Sequence, residues 1–315
     1  MSTAAPATRP LVDHPQLDEL IAYVQAHHPR SLGGIESARA VNPGRFDEIV
    51  QMHLEWAVTA RGGRAIGEMV DAFVQFCTDI AMEQARYEHR GNYGQRTYDD
   101  VYQAVYGADT MAEYLWGAYL TNFLWPHHLE IAMMFRDRFV ARLDDDARIV
   151  ELAPGHGSWG VWALTVLPDA RVHGFDISPS SIAIAESIAE AAGVGDRADY
   201  EQGDALAPAV TSATADACIC SFLVEHLERP DALFATIGDL LRPHGIAFVT
   251  GALTAAHTDH ITEFRRESEL VLLAENHGLR VLETYSGSPG RTLPDARFLP
   301  RSMALLLQKR ANDIW

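Results

Sequence analysis

Up to about residue 142, apolar residues recur at intervals of three and four, the spacing of one helical face. Leu17, Leu20, Ile21 and Val24 predict a helix over 17–26, and Phe46, Ile49, Val50, His53 and Leu54 predict a second over 45–60. A longer one runs from 65 to about 87, carrying Met69, Val70, Phe73, Phe76, Cys77, Ile80 and Ala81. After a polar, glycine-containing break at 88–96, further helices are expected over 99–106, 111–125 and from Pro126 to about 143. No strand pattern precedes Arg148. There the period changes. Short apolar runs at 148–152, 171–175, 198–201, 216–221 and 245–250 alternate with helical stretches at 158–167, 178–192, 230–241 and 258–277. Ser178-Pro179 is a helix start, a capping side chain followed by proline in the first turn. Two more strands, 280–285 and 303–307, have the Gly/Pro-rich link 286–290 between them and are joined without a long helix, so they should pair antiparallel. The pattern is an α/β domain behind an all-helical N-terminal cap. The acidic joint Asp144-Asp145-Asp146 divides them into 1–143 and 144–315.

The first strand runs into Gly155, Gly157 and Gly160, spaced Gly-x-Gly-x-x-Gly before a helix, the layout of a nucleotide-binding βα turn. Glycine there can take positive φ and let a ligand approach the backbone. Asp176 ends the second strand about 20 residues on, where an acid can meet ribose hydroxyls. Strand, glycines and acid together imply an adenosine-containing cofactor. They leave a nicotinamide cofactor and S-adenosylmethionine both open.

Composition narrows the partners. The net charge of −18 argues against nucleic acid and against an anionic membrane surface, both of which are held by Lys and Arg. No apolar run approaches the roughly 18 residues of a membrane helix. The N-terminal ten residues lack a secretory apolar stretch and read as a tail. Cys77, Cys218 and Cys220 form no Cys-x-x-Cys pair, and the latter two read as small core residues on a strand. A reducing, cytoplasmic setting is expected. A homodimer is left open.

From Arg148 onward the motifs resemble, in order, those of class I S-adenosylmethionine-dependent methyltransferases. Glu151-Leu-Ala-Pro-Gly-His-Gly157 resembles the first, with an acid ahead of the glycines; Asp176 resembles the ribose-binding acid; Gly203-Asp204-Ala205 resembles the adenine-side motif. Residues 215–226 resemble the fourth-strand motif, and Leu241-Arg-Pro-His-Gly245 the turn before the fifth strand, with His244 where glycine is usual. The resemblance covers roughly 148–309. It implies a Rossmann-like, seven-stranded, mostly parallel sheet with an antiparallel C-terminal strand, and S-adenosylmethionine as cofactor. The cofactor-binding residues it implies are Glu151, Ala153, Gly155, His156, Gly157, Asp176, Ile177, Gly203, Asp204, Ala205, Ser221 and Phe222. It says nothing of the acceptor, because the helical half resembles no known acceptor-recognition domain.

Methyl transfer is an in-line displacement, so the protein must align the acceptor with the sulfonium methyl and, for a hydroxyl or acidic carbon, supply a base. His226 is the candidate, at the carboxyl edge after the fourth strand. The bland alternative is a rim histidine with no proton to move. His257, His260 and Asp259 could join His226 as metal ligands for C-methylation of a 2-oxo acid. His257-x-x-His260 as surface polarity on a helix is preferred, and no metal is expected. His127-His128 reads as a helix-start pair. In the aromatic segment 114–125, Tyr114, Trp116, Tyr119 and Trp125 are substrate-side candidates, as is His257; helix core is the plainer reading. The expected activity is methyl transfer to O, N or C of a small metabolite. A nicotinamide-dependent oxidoreductase and a non-catalytic cofactor-binding protein stand as alternatives.

Overall fold

The computed structural model describes residues 13–99, 101, 108–289 and 296–311. The N-terminal tail and nearly all of the helix expected over 99–106 lie outside them. The helical half comprises α1 (Pro15–His27), α2 (Leu32–Val41), α3 (Pro43–Arg61), α4 (Ala65–Arg90), α5 (Ala108–Leu124) and α6 (Pro126–Met134). Helix α2 is absent from the sequence expectation, because Gly33-Gly34 lowers helix propensity in its first turn. Burial of Ile35 and Ala38 against α3 and α6 offsets that cost. Beyond α6 the chain continues as a π-helical turn (Phe135–Phe139) and a 3-10 turn (Val140–Arg142).

Seven strands follow: β1 (Arg148–Leu152), β2 (Arg171–Asp176), β3 (Ala198–Gln202), β4 (Ala215–Cys220), β5 (Leu241–Leu253), β6 (Leu279–Gly287) and β7 (Arg301–Lys309). Their order is β3-β2-β1-β4-β5-β7-β6. Strands β1 to β5 pair in parallel, and β7 is antiparallel to both β5 and β6, as expected of final strands joined without a long helix. Between them lie α7 (Ser158–Val166), α8 (Pro179–Ala191), α9 (Pro230–Leu240) and α10 (Glu267–Asn276). The helix expected over 258–277 forms only from Glu267 on.

Strand alternation divides the core into two faces. Val150, Cys218, Cys220, Ala247, Val249, Leu305 and Leu307 face α9 and α10. Ile149, Ala217, Ile219, Phe248 and Leu306 face the other way, in one buried cluster with α7, α8 and the N-terminal helices. Phe135 and Phe139 sit 5.2 and 5.7 Å from Phe248, ring to ring. The helical half therefore supplies one layer of the sheet's own sandwich. Strand order reverses between β1 and β4, which opens a crevice at their carboxyl ends.

Candidate functional site

The crevice begins where β1 ends. Ala153 takes φ 51° and its N–H donates to the Phe175 carbonyl (2.9 Å), which turns the chain toward β2. Gly155, at φ 57°, donates its N–H to Asp176 Oδ2 (3.0 Å), and Ser178 donates to Oδ1 (2.9 Å). Burial raises the Asp176 pKa, and these two N–H groups, with Ser181, pull it back. Gly157 is required at its position: φ is 69°, and a Cβ would lie 2.6 Å from the Ala185 Cβ of α8. Glu151 sits beneath the turn, where Oε1 accepts the Gly160 N–H (3.3 Å) and burial raises its pKa. Gly203 donates to the Asp176 carbonyl (3.0 Å), and Asp204 Oδ1 accepts the Leu206 N–H (2.8 Å).

At the end of β4, Phe222 takes φ 51°, and its N–H donates to Thr250 Oγ1 on β5 (2.9 Å). Its ring stacks on His128 at 4.8 Å. His156, between the two glycines, is held neutral by burial, with its pKa pulled down to about 4. Its Nδ1 accepts the Ser158 N–H (3.2 Å), and the Asn122 side-chain amide lies 3.0 Å from Nε2.

A cavity of about 1790 Å³ connects these residues with the helical half. Of the cofactor candidates, Ala153, Gly155, His156, Asp176, Ile177, Asp204, Ala205, Ser221 and Phe222 line it; Glu151, Gly157 and Gly203 support it from behind. The opposite wall is periodic. Phe76, Cys77, Ile80, Ala81, Gln84 and Ala85 of α4 form a stripe that continues, toward the C-terminus, the buried face of Ile66, Met69, Val70 and Phe73. On α5, Tyr114, Ala118 and Thr121 face the cavity, and Trp125 lines it just beyond the helix end. Trp116 and Tyr119, expected on the substrate side, point elsewhere. Trp116 lies under Arg61 (4.9 Å), and the Tyr119 hydroxyl donates to the His53 carbonyl (2.8 Å) within the helical core.

The far end is a histidine cluster on residues 254–266. Thr254 ends β5 in the left-handed region (φ 47°). The N–H groups of Ile261 and Thr262 then donate to the Glu225 carbonyl (2.8 and 2.9 Å), on a 3-10 turn Val224–His226, so they make no helix of their own. His257 and Asp259 are thus buried, which corrects the reading of His257-x-x-His260 as polar surface on a helix. Asp259 accepts from the Tyr114 hydroxyl (2.7 Å) and pairs closely with His257 Nδ1. Burial pushes the Asp259 pKa up, but His257 and His226 outweigh it and hold the carboxylate well below its usual range. Burial likewise acts to lower the His257 pKa, and Asp259 reverses it, leaving it raised. His226 Nδ1 lies 3.0 Å from the Asp259 carbonyl oxygen and His260 Nδ1 2.7 Å from that of Ala255. A carbonyl only accepts, so in both rings Nδ1 carries the proton and Nε2 keeps its lone pair. His226, His257 and His260 all line the cavity.

His127 and His128 begin α6 as expected, but their rings also line the cavity. Burial lowers both pKa values, His127 to about 4. The α4 stripe and these two rings escaped the sequence reading; the stripe's three-four spacing was its available signal.

Residues 149–245 match the family described as "Methyltransferase domain". No curated protein matches the chain. Among solved structures, phosphoethanolamine N-methyltransferase 2 of Haemonchus contortus, in complex with S-adenosyl-L-methionine, is similar at 14% identity. The match covers 69% of this chain and 61% of that one, with a TM-score of 0.53. The cyclase SpnF matches at 16% identity over 59% and 82% of the two chains (TM-score 0.50). Geranyl diphosphate methyltransferase, in complex with GPP and sinefungin, matches at 13% over 69% and 88% (TM-score 0.50). These likenesses are in fold.

Proposed function

We propose that the chain, whose residues 149–245 match a methyltransferase domain, transfers a methyl group from S-adenosylmethionine to a small molecule held between α4, α5 and the sheet edge. The observation that carries this reading is the continuity of the cavity. One space runs from Asp176 and Asp204 to His226. Its volume exceeds the roughly 300–1,000 Å³ typical of a single ligand site, so cofactor and acceptor have room side by side. The adenosine end falls to Asp176, Ile177, Asp204 and Ala205. Gly155, His156, Ser221 and Phe222 take the methionine end. Glu151, Gly157 and Gly203 act by shaping the turn.

The acceptor lobe is apolar along Phe76, Ile80, Tyr114 and Trp125 and polar at the histidines. An acceptor with an apolar body and one ionisable O–H, N–H or C–H fits it. His226 is the residue placed against that hydrogen. Its Nδ1–H is committed to the Asp259 carbonyl, so Nε2 can take the proton or hold the acceptor in line. His257 and Tyr114 then serve the site through Asp259. The helical half, 1–143, supplies most acceptor contacts.

The fold also carries a cyclase, so chemistry has to be assayed directly. Purified protein should bind S-adenosylmethionine and not a nicotinamide dinucleotide. It should release the demethylated cofactor when supplied with a matching acceptor from a panel of aromatic and carboxylic metabolites. Binding of the cofactor with no transfer to any acceptor would favour a non-catalytic role.

A further inference from the structure

The Glu225 carboxylate is 1% exposed, and its Oε2 has no hydrogen-bond partner. A buried, unpartnered carboxylate oxygen is costly unless a cation or donor meets it. Two imidazoles stand beside it. His226 and His260 are each fixed through Nδ1–H to a backbone carbonyl, of Asp259 and of Ala255. Metal-binding histidines are held in this way, the bonded N–H setting ring and tautomer and leaving Nε2 as ligand. Glu225, His226 and His260 offer donor atoms that all lie within 4.8 Å of one another, and all three line the cavity. They come from two segments locked together by the Ile261 and Thr262 N–H bonds to the Glu225 carbonyl.

A second grouping, His257, Asp259 and His260, is equally compact. Its carboxylate is already satisfied, by His257 on one oxygen and Tyr114 on the other. The unmet valence belongs to Glu225.

We propose that Glu225, His226 and His260 bind one divalent transition-metal ion at the acceptor end of the cavity. Two imidazoles and a carboxylate suit Fe(II), Mn(II) or Zn(II) and leave coordination positions open. Those positions face the acceptor lobe, so the ion selects an acceptor with two neighbouring oxygens that can chelate it. The inference deepens the methyl-transfer reading and rests on it for the acceptor's presence. It also redefines His226: ligation occupies the Nε2 lone pair that would otherwise take a proton, and the cation lowers the acceptor's pKa instead.

The test uses the full chain, stripped with chelator and dialysed. Titration with Mn²⁺ and with Zn²⁺ alone, read by calorimetry and by Mn²⁺ electron paramagnetic resonance, should give one equivalent bound. Loss of an outer partner costs about 10–100-fold in metal affinity, so loss of a ligand should cost more than about 100-fold. Glu225→Gln and His260→Asn should each do so while S-adenosylmethionine affinity, measured separately as the check on folding, stays unchanged. If one variant fails that check, the other carries the result. Absence of stoichiometric uptake, or uptake that survives both substitutions, overturns the site. Full methyl transfer by metal-free protein would overturn it too and leave the methyl-transfer reading standing. One equivalent of bound metal, lost in the variants, with no transfer to any chelating acceptor would uphold the site and remove the methyl-transfer reading.

Discussion

The Gly155 N–H donates to the Asp176 carboxylate across 3.0 Å, so the acid that ends β2 also closes the glycine turn that ends β1. A cofactor hydroxyl meeting Asp176 would share an oxygen whose position the turn already defines. Asp176→Ala removes both functions. It should weaken S-adenosylmethionine binding by about 1.5–3 kcal/mol, the range for hydrogen bonds to a charged group. Calorimetry giving an unchanged affinity would remove Asp176 from the cofactor site.

Gly157→Ala adds a Cβ at a left-handed position and 2.6 Å from Ala185. Left-handed strain and overpacking together should cost at least about 2 kcal/mol. The urea midpoint of unfolding should fall accordingly. Equal midpoints for variant and parent would mean that α8 moves aside freely.

His226→Ala should lower turnover by about 10²–10⁴-fold, the usual cost of losing a general base or its equivalent, with cofactor affinity nearly intact. His226→Asn keeps a polar group and separates orientation from proton or metal binding. Turnover within a few-fold of the parent in both variants would make His226 a rim residue only.

His53 is buried among Trp56, Phe123 and Trp162, and burial pulls its pKa down to about 3. In the unfolded chain the imidazole titrates near 6.5, so between about 6.5 and 3 the unfolded state holds the extra proton. Stability contributed by the neutral ring is therefore full above pH 6.5 and is lost as pH falls through that window. Melting temperature should begin to drop below about pH 6.5, before ordinary carboxylates titrate, and His53→Phe should flatten that part of the profile. An identical profile in the variant would assign the acid loss to other groups.

A chain beginning at Asp144 would expose Ile219, Phe248 and Trp159, which the N-terminal helices cover. It should lack a cooperative unfolding transition and bind no cofactor. Cooperative melting by that truncated chain, with S-adenosylmethionine bound, would make the helical half dispensable for folding.

What was legible in the sequence was local. Gly155, Gly157, Asp176 and Asp204 lie at or just beyond strand ends, and the order of strand, turn and helix around them is the order the sequence shows. Residues 258–266 read as the start of a helix because their composition permits one; the backbone donors of Ile261 and Thr262 instead reach Glu225, a partner no periodicity signals. The aromatic segment was half legible. Its helix was plain, but which side met the cavity depended on α4, so Tyr114 and Trp125 could not be told from Trp116 and Tyr119 in advance. The pairing of Asp259 with Tyr114, 145 positions apart, is a tertiary fact.

The layer that the N-terminal helices contribute to the sheet sets a timetable for synthesis. Phe135 and Phe139 leave the ribosome before their partner Phe248. At about 5–20 residues per second, that wait lasts roughly 6–20 s. During it the nascent helices hold an apolar face with nothing to cover it, long enough for self-association to compete. Folding yield in a foreign host should thus be governed by chaperone supply and growth temperature more than by the stability of the finished molecule.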